Sequence, residues 1–246
     1  MLNKKNSKKY DICLVIPTLN EEENILDLKL ALDNNLNEDR YFICFIDDSP
    51  NNLTKNKIKS HFNKKNFEII HCGKKDRCEA VKVGLKWSYK NIKSNFFIEM
   101  DADLSHSPKD IKKKLNIIMS GKYNLIIFSK YLKKSKHFSR DKDRVLISFV
   151  VSKICNILFN KKIKDYSNAF RVYDRKAISI LMQKKISYIA PLENLNILLF
   201  LMDKIKIKEV ASSYKGRIEG ISSINFKQYL KFSILFIKLV LFYVTK

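Results

Sequence analysis

Short apolar runs alternate with amphipathic stretches through the first half of this 246-residue chain, and that alternation leaves few folds open. Residues 12–16 (ICLVI), 41–46 (YFICFI), 67–71 (FEIIH), 96–100 (FFIEM) and 125–128 (LIIF) read as strands buried on both faces. Between them, 22–32, 54–62, 79–89 and 108–119 repeat apolar residues at spacings of three and four, the period of a helix with one buried face. Strand and helix in turn predict an α/β fold, a mostly parallel sheet covered by helices on both faces. Such sheets bind ligands beyond the carboxyl ends of their strands, which is where this chain gathers its polar residues.

The pattern changes after residue 129. KYLKKSKHFSRDKD, residues 130–143, is polar, basic and aperiodic, and is expected to form a mobile surface loop, with 132–142 as a lid. A helix over 145–159, a short extended segment at 169–173, helices near 176–182 and 191–202, and a strand over 206–214 follow. The chain closes with FKQYLKFSILFIKLVLFYV, whose apolar stretch 232–244 is interrupted by Lys238. That is short of the ~20 residues a spanning helix needs. With Lys227, Lys231, Lys238 and Lys246 at its polar edge, it reads as an amphipathic helix lying in a membrane interface; docking on the protein's own core is the competing account. The expected division is a main domain over 1–223 and this helix over 224–246.

Lys and Arg outnumber Asp and Glu by 48 to 25, a formal charge of +23. Attraction to a polyanion, an anionic membrane or a phosphorylated substrate would use that excess; so would nothing in particular, because most of it is dispersed Lys on solvated faces. A nucleic-acid binder would cluster Arg with aromatic residues, so no nucleic-acid partner is expected. Five cysteines without a CxxC pair argue against zinc and a disulfide framework, and for a reducing cytoplasm. The basic start MLNKKNSKKYD has no apolar run of signal-peptide length behind it.

Three strand ends carry the candidate chemistry. Asp101-Ala102-Asp103 follows FFIEM directly, and two carboxylates one residue apart at a strand end can share one Mg²⁺ or Mn²⁺ that keeps waters and takes phosphate oxygens. A loop that starts a helix accounts for Ser107 and Pro108 but not for the two acids. Asp47-Asp48-Ser49-Pro50 follows YFICFI, where carboxylates can accept from a ribose or a base, although a turn with a helix cap fits the same residues. Pro17-Thr18-Leu19-Asn20-Glu21 closes the first strand, and Asn20 with Glu23 also fits a capping box.

Together, IPTLNEEENI, IDDSPNNLT and MDADLSHSP resemble the family-2 glycosyltransferases of GT-A fold. DADLSHSP narrows the resemblance to the dolichyl- and polyprenyl-phosphate mannosyltransferases. It continues through SKY at 129–131, Arg144, DYSNAFRVY at 165–173 and RIEGISS at 217–223. The resemblance implies an inverting, metal-dependent hexosyltransferase with a nucleotide-sugar donor and a polyprenyl-phosphate acceptor. Such a protein would sit peripherally on the cytoplasmic side of a membrane, with room for a membrane partner subunit. It implies that Pro17, Glu21, Asp47 and Asp48 hold the nucleotide, and that Asp101, Asp103 and Ser105 hold Mg²⁺ or Mn²⁺. Lys130, Arg144, Arg171 and Arg217 would face phosphate, with Asp101, Asp103 and Arg217 closest to the reaction. Relatives usually carry Arg where Lys130 stands, Lys where Ser223 stands, and a Gly-rich turn near 76–79. His106, the one histidine near the motifs, is expected to pack rather than catalyse.

Overall fold

The computed structural model describes residues 8–74, 76–138, 142–183, 192–215 and 226–245; Arg217 and Ser223 lie outside the described residues. The five early strands all form: β1 (Lys9–Thr18), β2 (Tyr41–Asp47), β3 (Phe67–Ile70), β4 (Lys93–Glu99) and β5 (Leu125–Ser129). With β7 (Arg171–Asp174) and β8 (Ile207–Ala211) they make a seven-stranded sheet in the order β3-β2-β1-β4-β7-β5-β8. All pairings are parallel except those of β7, which runs antiparallel to both β4 and β5.

Helices α1 (Ile25–Asp33), α2 (Leu53–His61) and α4 (Pro108–Met119) cover one face. The other face carries α3 (Arg77–Asn91), α5 (Lys142–Leu158), α6 (Arg175–Gln183), α7 (Glu193–Leu201) and α8 (Phe226–Val244). The strand alternation sorts the two cores. In β1, Cys13 and Val15 point to the second face, while Ile12, Leu14 and Ile16 point to the first. Because both faces are covered, the strands read as unbroken apolar runs. Gly84 sets how closely α3 can lie: a Cβ there would come within 2.5 Å of Ile46 Cδ1 and 2.7 Å of Val15 Cγ1. The five cysteines are free thiols, four of them buried.

Several expected elements differ. The helix expected from residue 22 starts at Ile25 with Asn24 at its cap, so no Asn20–Glu23 capping box forms; Asn20 instead adopts φ 56° in the turn before it. The aperiodic basic segment contains a short strand, β6 (Lys136–Phe138), paired in parallel with β9 (Ser213–Lys215). The expected strand over 206–214 is thereby split between two sheets. Asp110 stands behind this break: Oδ2 accepts from Ser213 N at 2.5 Å, just where the chain leaves β8.

The C-terminal helix α8 docks by its inner face. Leu239 and Val240 are buried, and Tyr243 Oη donates to Asn196 Oδ1 of α7 at 2.7 Å. Among the described residues, no helix is long and apolar enough to cross a membrane.

Candidate active site

The first two strand-end loops are tied to each other by hydroxyls. Thr18 Oγ1 donates to Asp47 Oδ1 at 3.2 Å, and Ser49 Oγ donates to the same oxygen at 2.6 Å. Ser49 Oγ in turn accepts from Asn20 N at 2.9 Å, and Thr54 Oγ1 accepts from Glu21 N at 3.0 Å. Asp47 is therefore a clamp between the loops, and its neighbour Asp48 is the carboxylate that lines the cleft. Asp48 Oδ1 accepts from Cys72 N at 2.9 Å and Gly73 N at 3.1 Å. Gly73 reaches that geometry with φ 77°, a conformation costly for other residues. His71 Nδ1 lies 2.8 Å from Asp48 Oδ1 and 3.0 Å from Asp47 O. Both neighbours are acceptors, so Nδ1 acts as a donor.

The third loop turns sharply after β4. Asp101 N donates to His106 Nδ1 at 3.1 Å, which leaves the proton of the neutral ring on Nε2. His106 is buried, and burial lowers its pKa, with Asp101 opposing. Its ring stacks on Phe170 with centroids 5.0 Å apart, and Phe170 stacks on Phe128 at 4.0 Å. As expected, His106 packs; it also holds the backbone from which Asp101 projects. Between Asp103 and Ser105, Leu104 adopts φ 58°, and Asp103 Oδ1 accepts from Ser105 N at 3.0 Å. A left-handed Leu is a strained turn residue of the kind that gathers at functional loops. Ser105 itself is buried.

A fourth element enters from α3. Asp76 caps that helix, accepting from Cys78 N at 2.8 Å and Glu79 N at 3.2 Å. The next residue, Arg77, reaches across to β4. Its Nε donates to Asp101 Oδ1 at 2.9 Å, and one terminal nitrogen donates to Glu99 Oε1 at 3.0 Å and lies 3.9 Å from Glu193 Oε1. Burial works against the guanidinium charge, but Asp101, Glu99 and Glu193 outweigh it and raise the Arg77 pKa. Glu99 is buried, which raises its pKa against the pull of Arg77 and Arg171; its Oε2 accepts from Tyr173 Oη at 3.1 Å.

These elements enclose a cleft of about 220 Å³. Pro17 and Thr18 at the end of β1 and Leu19 and Glu21 just past it line the cleft, with Asp48 after β2, Asp76, Arg77 and Ala80 at the start of α3, and Asp101 and Ala102 after β4. Four carboxylates and one guanidinium thus line a cleft in a chain whose formal charge is +23.

Of the residues expected to act here, Pro17, Glu21, Asp48 and Asp101 line the cleft together, and Asp47 and Asp103 stand in the same loops. Lys130 lies at the end of β5, its Nζ 4.7 Å from the centre of the Tyr214 ring, which is 6.1 Å from His106. Arg144 falls in the first turn of α5. Arg171 is a correction. It is fully buried, and its two terminal nitrogens donate to Asn194 O at 2.9 Å and Tyr166 O at 3.0 Å, so it cannot meet an acceptor phosphate. The reason is that β7 lies inside the sheet, with every residue facing a covered side.

Arg77, Glu99, Tyr173 and Glu193 were not expected at the site. One signal pointed to Arg77: a cation in the first turn of a helix works against the helix dipole and calls for acids nearby. The others come from contacts between distant segments, which a local pattern does not record.

Among the described residues, no group of three or more His, Cys, Asp and Glu side chains is arranged to hold a metal ion. The Asp101 and Asp103 pair fits a hard divalent cation only if water and a diphosphate supply most of the coordination, the usual arrangement for Mg²⁺ at phosphate sites. This is a partial donor set, not a protein cage.

The family model for glycosyl transferase family 2 matches residues 13–181, well over half of the chain. The chain belongs to that family. A dolichol-phosphate mannosyltransferase of Pyrococcus furiosus is 30% identical over 125 residues, 51% of this chain and 34% of that protein. The match therefore spans about a third of the relative's length. Among solved structures, glucosyl-3-phosphoglycerate synthase of Mycobacterium tuberculosis, in complex with Mn²⁺, UDP and glucosyl-3-phosphoglycerate, aligns with a TM-score of 0.65 at 12% identity, covering 100% of this chain and 84% of that one. The 1–349 segment of S. aureus TarS aligns with a TM-score of 0.54 at 14% identity, over 83% and 59% of the two chains. At these identities the likeness establishes the fold, a GT-A-like α/β architecture.

Proposed function

We propose that this glycosyltransferase moves a hexose from a nucleoside diphosphate to a polyprenyl phosphate with inversion, and that mannose from GDP-mannose is the first donor to test. One observation carries the reading: the loops after β1, β2 and β4 meet in a single cleft with Asp48 and Asp101 on its wall. Pro17, Glu21 and Asp48 would hold the nucleoside, with Asp48 kept in place by two backbone N–H groups and its loop tied to the first loop through Asp47. Asp101 and Asp103 would hold Mg²⁺ or Mn²⁺, with Ser105 buried in the same loop. The cation, when bound, supplies charge that offsets the leaving diphosphate.

In the proposed reaction an acceptor phosphate oxygen forms a bond to the anomeric carbon as the bond to the diphosphate breaks, and the nucleoside diphosphate leaves with the electron pair. An acceptor phosphate is already an anion near neutral pH, so no general base has to activate it. The buried, neutral His106 suits this scheme, because it is committed to the Asp101 backbone. What remains for the protein is orientation and charge stabilisation. Arg77 aims Asp101 within the cleft; Lys130, Arg144 and Arg217 are the remaining candidates for contact with phosphate. The α8 helix would keep the domain at the cytoplasmic surface of the membrane that holds the acceptor.

A second reading, transfer from a UDP-sugar to a glycan or another lipid, draws support from the UDP in the mycobacterial neighbour. The test for both is Mn²⁺-dependent transfer of label from a panel of nucleotide sugars into organic-extractable polyprenyl phosphate, with Asp103→Ala as control. Label in the lipid that requires metal and Asp103 supports the first reading and names the donor. Nucleotide-sugar binding without lipid label moves the second reading to the front, and no binding at all sinks both.

A further inference from the structure

Two helices present apolar residues on the wrong side. In α5, Leu146, Phe149, Val150, Ile154, Ile157 and Leu158 are exposed, Ile157 to 79%. Their spacing of three and four makes one stripe along the helix, opposite the inner stripe of Val151, Cys155 and Phe159 that packs into the core. In α8, Ile234, Ile237, Leu241, Phe242 and Val244 are exposed in the same manner, opposite Phe232, Leu235, Phe236 and Leu239. Both inner stripes join one hydrophobic cluster, so the two outer stripes lie over the same face of the sheet. A water-facing surface has no use for eleven such side chains, and patches of this kind mark a binding surface.

Charge identifies the occupant. Past Asp143 in the first turn of α5, residues 144–164 contain no Asp or Glu, and neither do residues 226–246. The exposed charges on and just after the two stripes are lysines: Lys153, Lys162 and Lys164 by α5, and Lys238 on α8. Lys153 Nζ lies 5.4 Å from the centre of the Phe149 ring, so cation and apolar group share one surface. An apolar stripe whose exposed charges are lysines is the composition of a helix that rests among anionic headgroups. We infer that α5 and α8 form a two-legged face that docks on an anionic lipid surface, with α5 as a full partner to the terminal helix. This extends the interfacial role proposed for α8 and rests on neither the donor nor the acceptor.

The test is flotation of the full chain with vesicles of equal parts phosphatidylcholine and phosphatidylglycerol, beside vesicles of phosphatidylcholine alone. The intact protein should float with the anionic vesicles and be released by high salt. A Phe149→Glu, Ile157→Glu double variant should bind at least about tenfold more weakly, since it replaces two apolar contacts with two anions facing an anionic surface. Ile237→Glu in α8 should act in the same direction. Circular dichroism and nucleotide binding unchanged from wild type will show that the variants are folded, because all three positions face outward. If the α5 variant binds as wild type does while Ile237→Glu does not, the inference is wrong and α8 docks alone. If the intact chain ignores both vesicles but sediments with native membranes, the face belongs to a membrane protein. If it ignores both and light scattering finds a dimer that Ile157→Glu dissociates, the face belongs to a second copy. Either result overturns the lipid assignment without touching the transferase reading, which the label assay decides separately.

Discussion

The first four strands and the later β7 use the same sheet in opposite ways. At β1, β2 and β4 the polar residues sit just past the carboxyl ends, where the chain leaves the sheet and its side chains can meet a ligand. In β7 the polar residue Arg171 sits within the strand, pinned between β4 and β5, and its charge is spent on backbone carbonyls and on balancing Glu99. An arginine expected at phosphate from its place in a motif proves to be a brace. A motif transfers a position in the chain; whether that position faces solvent depends on which strands lie beside it.

Four substitutions can break or sharpen this contrast. Arg171→Ala should cost about 3–5 kcal/mol of stability, since it empties a large buried site and leaves two carbonyls without their donor. Urea denaturation reads this, and nucleotide affinity of the folded fraction should stay as it was. A variant of unchanged stability with weakened acceptor binding would restore Arg171 to the site. Asp101→Ala should show the opposite profile, losing about 10²–10³ in turnover while the fold persists; initial rates with the donor that the label assay identifies measure it. Next, Asp48→Asn should weaken nucleotide binding about tenfold, as a carboxylate fixed by two N–H groups becomes a neutral amide. Titration calorimetry would test that, and equal affinity would remove Asp48 from the nucleoside. The smallest effect is expected of Lys130→Ala. Loss of its contact with Tyr214 is worth about 0.5–1 kcal/mol in thermal stability, and a much larger fall in turnover would place Lys130 at phosphate.

Much of the first half was legible because a single physical rule governs each element. Strands buried on both faces must be apolar throughout, so the runs near residues 12, 41, 67, 96 and 125 stood out, and each forms. The loops that follow them stood out for the same reason, as the first places where carboxylates are affordable. Legibility failed where two rules competed. Asn20 and Glu23 have the spacing of a capping box, but Asn20 N is taken by Ser49 Oγ, from another loop, and the helix starts later. Residues 130–143 lack any period, yet β6 forms there because β9 offers an edge to pair with. The stretch 206–214 looks continuous, but Asp110, about a hundred residues earlier, takes the Ser213 amide at the point where the chain changes sheets.

By itself the sequence determined the five strands of the first half and the helices between them, the mostly parallel sheet, and the three acidic strand ends. Those follow from burial patterns and chain breaks a few residues long. Only the tertiary structure decided that β7 would enter the sheet in reverse, that Arg77 would reach the Asp101 carboxylate, and that α5 would turn a second apolar stripe outward. An apolar residue carries the same signal whether its neighbour is a core or a lipid, and a charged one whether its partner is a substrate or a carbonyl. The pairing between distant segments settles both, and no local period encodes it.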